Sequence, residues 1–141
     1  MKKTIYFFFI SINYLCAQGI EDLGKKTYNE ILIMEQPLIP CDKISNELLI
    51  YCVEGNSNKI SYLFKNSILN AIQLHTVFEN ETEANNALKN AVNNFQNNNN
   101  IKPIYKDGIV YFYSSTVHVF VTLKILHYDN EYFLAEHFAL K

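Results

Sequence analysis

Three histidines, two cysteines and a row of aromatic residues carry whatever chemistry this chain can do. His75, His118 and His137 fall in strand-like runs at parities that let one sheet face hold all three, and three imidazoles are a zinc ligand set. No H-E-x-x-H pair fixes two of them at ligand spacing, however, and histidine is an ordinary occupant of half-exposed sheet faces. The sequence predicts no metal and no cofactor. Glu136 beside His137 has the residue types of an acid–base pair, but consecutive strand residues point to opposite faces. His127 and Tyr132 are placed to meet across a hairpin and hydrogen-bond. Ser114 and Ser115 lie in a turn without the G-x-S-x-G frame that exposes a nucleophile. Glu79, Glu81 and Glu83 gather at a helix start, where they serve the helix dipole, and no loop there alternates acidic ligands as calcium requires. No residue is assigned a catalytic role.

The cysteines are read through compartment. Lys2 and Lys3 precede an apolar run from Ile5 to Leu15, and small residues follow at Ala17 and Gly19. That is the layout of a secretory signal peptide over residues 1–19. An apolar run of about eleven residues is too short to cross a bilayer of roughly 30 Å as a helix. Cleavage before Ile20, or after Ala17, would leave residues 20–141 as a single domain exported to a bacterial periplasm or secreted, with no stable membrane insertion. Acylation of Cys16 is the competing lipoprotein reading, and the bulky Tyr14 and Leu15 before it disfavour that. Once Cys16 leaves with the signal, Cys41 and Cys52 are an even pair in an oxidising compartment, which predicts one disulfide.

Composition excludes several partners. Hydrophobic residues make up 49% of the chain and aromatics 14%, enough for a core and against disorder. The formal charge is -2, and about -4 once Lys2 and Lys3 are removed. Every basic residue is lysine. An acidic domain without arginine is a poor binder of nucleic acid or of anionic membranes.

The elements that must position these groups follow from periodicity. Ile20, Leu23, Thr27, Ile31 and Met34 predict one amphipathic helix, stopped by Pro37 and Pro40. Runs at 47–53, 59–64 and 68–78, separated by turn residues, predict a three-stranded meander. Ala84, Ala87, Leu88, Ala91, Val92 and Phe95 predict a second helix, with Asn80 and Glu83 as its capping box and Asn97 to Asn100 as its end. Three strands close the chain at 109–113, 116–127 and 131–138. Asp129-Asn130 as a loop sets Ile125 opposite Leu134 and Val121 opposite Phe138; Ser114-Ser115 as a loop sets Phe112 opposite Val117 and Val110 opposite Val119. The result is an α+β fold, an antiparallel sheet with helices on one face, in tandem αβββ-αβββ order. The order resembles that of small secreted periplasmic and inhibitor domains, the PepSY-like and β-lactamase-inhibitor-like folds; no signature residue accompanies it, and the resemblance implies fold alone.

Val110, Phe112, Val117, Val119, Val121, Ile125, Leu134 and Phe138 should pack under the second helix. The opposite face then carries Tyr111, Tyr113, His118, Phe120, Thr122, Leu126, Phe133 and His137. A sheet with two apolar faces must cover both or use one for binding. The first helix or a dimer partner over that face is the plainer expectation. The functional expectation is a protein or peptide site at Tyr111, Tyr113, His118, Phe120, Phe133 and His137, in a small exported binding or accessory protein of the inhibitor or immunity kind. A thiol- or histidine-dependent hydrolase and a structural envelope component are the alternatives.

Overall fold

The computed structural model describes residues 20–35, 40–45, 47–52, 58–113 and 119–141, and of 42–45 the backbone alone. The expected signal segment, Cys16, the Ser114-Ser115 turn, Val117 and His118 lie outside the described residues. The elements run α1 (Tyr28–Met34), β1 (Asp42–Ser45), β2 (Leu48–Cys52), β3 (Lys59–Lys65), β4 (Ile68–Phe78), α2 (Glu81–Asn99), β5 (Ile104–Lys106), β6 (Ile109–Tyr113), β7 (Val119–Tyr128) and β8 (Glu131–Leu140). All eight strands join one antiparallel sheet in the order β1-β2-β3-β4-β8-β7-β6-β5. Each helix is thus followed by four strands, not the expected three. The additional strands, β1 and β5, are the two sheet edges. Both are too short to show an alternating pattern, and every residue of β5 is exposed.

Turn chemistry sets the registers. Asn66-Ser67, Asp107-Gly108 and Asp129-Asn130 each hold two consecutive residues at positive φ, between 48° and 74°. Two positive-φ residues make the type I′ turn, whose twist matches that of the strands it joins. Across Asp129-Asn130, Ile125 faces Leu134 and Val121 faces Phe138, as the loop length requires. The β6–β7 register departs from expectation: Phe112 faces Val121 rather than Val117, and Val110 faces Leu123 rather than Val119. β6 ends at Tyr113 and β7 begins at Val119. The slip is an even number of residues, so the same side chains keep the same face.

The first helix is also corrected. The predicted continuous helix from Ile20 to Met34 breaks at Gly24, whose φ is +75°. The chain from Gly24 to Tyr28 runs instead beside the start of β4. Gly24 N–H donates to the Leu69 carbonyl at 2.8 Å, and Leu69 N–H to that of Lys26 at 2.8 Å. Thr27 then caps a new helix: its hydroxyl accepts from Glu30 N–H, while the Glu30 carboxylate accepts from Thr27 N–H at 2.8 Å. This T-x-x-E box satisfies two helix-end donors reciprocally. At α2, Asn80 is the N-cap, accepting from Glu83 N–H at 2.9 Å, and Asn100 closes the helix in the left-handed region.

One core lies between the sheet and both helices. Leu49, Tyr51, Tyr62, Leu74, Val110, Phe112, Val119, Val121, Leu123 and Phe138 point to the helix side. The α2 stripe of Ala84, Ala87 and Val92 is buried on them, and the small alanines let helix and sheet approach. The Phe95 ring sits 4.6 Å from that of Phe112 and 6.4 Å from that of Phe138. Tyr28 of α1 packs on Phe64, ring centroids 5.3 Å apart. At the β1 edge, Cys41 and Cys52 form the expected disulfide, with Cα atoms 5.7 Å apart. It fastens the entry of the short edge strand to the end of β2. Among the described residues no helix is long and apolar enough to cross a membrane.

Candidate functional site

Register fixes which side chains share the other face, because directly paired residues of neighbouring strands lie on one side. Tyr111 pairs with Thr122, and Tyr113 with Phe120. Thr122 pairs with His137, Leu126 with Phe133, and Lys124 with Ala135. Across the centre of the sheet, His137 pairs with Gln73, and Ala135 with His75. Then His75 pairs with Lys59, and Gln73 with Ser61. Tyr111, Tyr113, Phe120, Thr122, Leu126, Phe133 and His137 therefore stand together on the face away from the helices. Both described helices pack on the other side, so among the described residues no helix covers this one. Its side chains are mostly half-buried, and Tyr113 is 47% exposed.

Two zones divide the face. An aromatic zone lies toward β6: the Tyr111 and Phe120 rings are 5.7 Å apart, and the Lys141 ammonium sits 3.6 Å over the Tyr113 ring. A polar strip crosses the middle, made by Lys59, Ser61, Gln73, His75, Thr122, Lys124 and His137. Burial is the main cause holding His75 below the usual histidine value, with the Lys59 and Lys124 ammonium groups adding to it. His137 is lowered by burial and then by Lys124. Neither imidazole has a carboxylate among its perturbing groups. The Nε2 atom of His137 is shut off from water and has no hydrogen-bond partner among the described residues. Such an atom carries an unmet desolvation cost.

Glu136 and His137 separate as strand geometry requires. Glu136 faces the helices between Leu74 and Leu123, where burial raises its carboxyl to about 7. It cannot orient His137, which points the opposite way. His127 and Tyr132 do meet across their hairpin, but as stacked rings 4.4 Å apart and 12° from parallel. No group of three or more histidine, cysteine or acidic side chains placed to hold a metal ion exists among the described residues.

The expected site residues Tyr111, Tyr113, Phe120, Phe133 and His137 share this face; His118 lies outside the described residues. Sequence reasoning missed Lys59 and Lys124 as members of the strip. The alternation of Gln73, His75 and Val77 was visible, but only the β4–β8 pairing puts them beside His137. Asn58 was missed as well: read as a turn residue, it is buried, and its Oδ1 accepts from Val77 N–H at 2.7 Å. The side chain thereby continues the hydrogen-bond ladder one step before the start of β3. Compared with protein-family models, with curated proteins and with solved structures, the chain finds no match. The resemblance in element order is therefore one of order only.

Proposed function

We propose that this is an exported, non-catalytic binding domain that receives a protein or peptide partner on its helix-free sheet face, as an accessory, inhibitor or immunity protein would. The observation that carries the reading is the division of the sheet into two apolar faces of which the described helices cover one. Tyrosine and phenylalanine are large, rigid contact residues whose burial supplies interface energy at low entropic cost. The symmetric strand order supports reading the two halves as tandem units, each a helix with its strands, meeting at β4 and β8. The cysteine pair is compatible with export.

The alternatives have less support. A thiol hydrolase needs a free thiolate, and Cys41 and Cys52 are joined. A histidine-dependent hydrolase needs an orienting group on the imidazole, and the groups acting on His75 and His137 are lysines. A purely structural envelope component gives the aromatic zone no role.

Peptide selection on the purified chain tests the proposal. Peptides enriched by display should lose at least tenfold in affinity toward the F120D/F133D variant and keep their affinity for a helix-side variant such as E83K. Equal binding to F120D/F133D and to the parent chain would rule out the face as the site.

A further inference from the structure

Carboxylates are sparse on the strands, whereas lysines occur on both layers, with Lys25, Lys26 and Lys89 on the helical side. Along the strands, the helix-free face carries Lys59 and Lys124 at its centre and Lys106 on β5, and Lys141 reaches the Tyr113 ring. The carboxylates gather elsewhere: Glu21, Asp22, Glu30 and Glu35 at and around α1, and Glu79, Glu81 and Glu83 at the start of α2. Among the described side chains of β2 to β8, only Glu131 and Glu136 are acidic. Glu136 points to the helices, and Glu131 sits opposite Tyr128 at the far end of the β7–β8 hairpin. An acidic chain thus presents a cationic strip with an aromatic flank.

We propose that the partner of this face is an acidic, partly apolar protein segment, its carboxylates over the Lys59–His75–His137–Lys124 strip and its apolar side chains against Tyr111, Phe120 and Phe133. This rests on the reading of the face as a binding site and names the chemistry of what binds there. Three observations select that occupant. The strip offers ammonium groups with hydrogen-bonding neighbours in Gln73 and Thr122 and, among the described residues, no facing carboxylate, so an anionic group meets attraction and donors together. The flanking rings require apolar contacts beside the charges. A second copy seated face to face would lay one cationic strip near another with no described carboxylate on the face to pair with either. A nucleic-acid strand is disfavoured by the acidic net charge and the absence of arginine forks.

The two histidines on this face give the site a second property. Burial and the lysines keep both histidines neutral near neutral pH. The charged or titratable groups that face them among the described residues are Lys59 from β3, Lys124 from β7, and His75 and His137 themselves. A bound carboxylate stabilises the imidazolium, so binding should tighten as pH falls from 7.5 to about 5.5, still above the ordinary carboxylate range.

The experiment uses the ¹⁵N-labelled, disulfide-bonded full chain with three probes: blocked (Glu-Leu)₄, blocked (Lys-Leu)₄ and single-stranded oligo(dT)₈. The Glu-Leu peptide is expected to shift the amides of Gln73, His75, Thr122, Lys124 and His137. Its affinity should fall at least tenfold between 50 and 500 mM salt, and at least tenfold in the variant K59E combined with K124Q. It should also rise severalfold on acidification, with that rise lost in H75N/H137N. Lys-Leu binding at the same amides as tightly as Glu-Leu would overturn the acidic partner and leave the binding face standing. Oligo(dT)₈ binding there more tightly than Glu-Leu would overturn it in favour of nucleic acid. Shifts confined to the helix side, or no shifts with any probe, would remove both the acidic partner and the face as a site.

Discussion

Glu136 is the residue whose environment departs furthest from its chemistry. It faces the helix side between two leucines, and burial alone raises its carboxyl from 4.5 to about 7. A raised carboxyl means that the folded chain holds a proton which the unfolded chain releases. Its contribution to stability is therefore complete below about pH 4.5 and is lost as pH rises to about 7, by on the order of 1–3 kcal/mol. His75 and His137 act in the opposite sense. Their folded values are lowered, so stability is lost as pH falls from 6.5 through those values. The two trends oppose each other in the parent chain, and substitution separates them. In urea melts from pH 4 to 9, E136Q should keep only the histidine limb and grow more stable between pH 5 and 7. H75N/H137N should keep only the glutamate limb and grow less stable over the same range. A parent-like pH profile in E136Q would place the proton elsewhere.

At the scale of elements, the same alternation predicts which substitutions the sheet resists. Val121 is 1% exposed and lies in the helix-side core opposite Phe112 and Phe138. V121A should cost on the order of 1–3 kcal/mol, through lost burial and the cavity left behind. Its neighbour Thr122 points to the helix-free face and is only half-buried, so T122A should cost less than about 1 kcal/mol in the same denaturant melt. Equal losses at both would mean a two-sided core. The disulfide is the element-scale device at the β1 edge. It joins residues 11 apart in sequence, and C41S/C52S should lower stability by about 2–3 kcal/mol, read as a lower midpoint in urea. Chemical reduction of the parent chain should reproduce that shift. The elements also mark where local sequence was sufficient. Asn80 and Glu83 fixed the start of α2 because a capping interaction needs only residues three apart. Thr27 and Glu30 carry the same signal, but the apolar spacing running through Gly24 hides the break.

For the whole molecule, the decisive contact is β4 against β8, which unites the two halves into one sheet and one core. By itself the sequence determined the long strands, the second helix, the cysteine pair and the side of each strand that is apolar. These depend on periods of 2 and 3.6 residues and on turn residues, all of which are local. It could not determine the edge strands β1 and β5, since three or four residues carry no period and form a strand only when a neighbour offers a ladder. Nor could it determine the β6–β7 register, where the hydrophobic alternation is satisfied equally by any even shift. The candidate face was legible in half: Tyr111, Tyr113, Phe120, Phe133 and His137 share parity in strands close along the chain. Lys59, Gln73 and His75 joined them only through β4–β8 and β3–β4 pairing, which no periodicity encodes. The gathering of Lys59, Lys106 and Lys124 on the helix-free face is likewise a tertiary outcome. Residues far apart in sequence acquire a common field only when the sheet closes them onto one face.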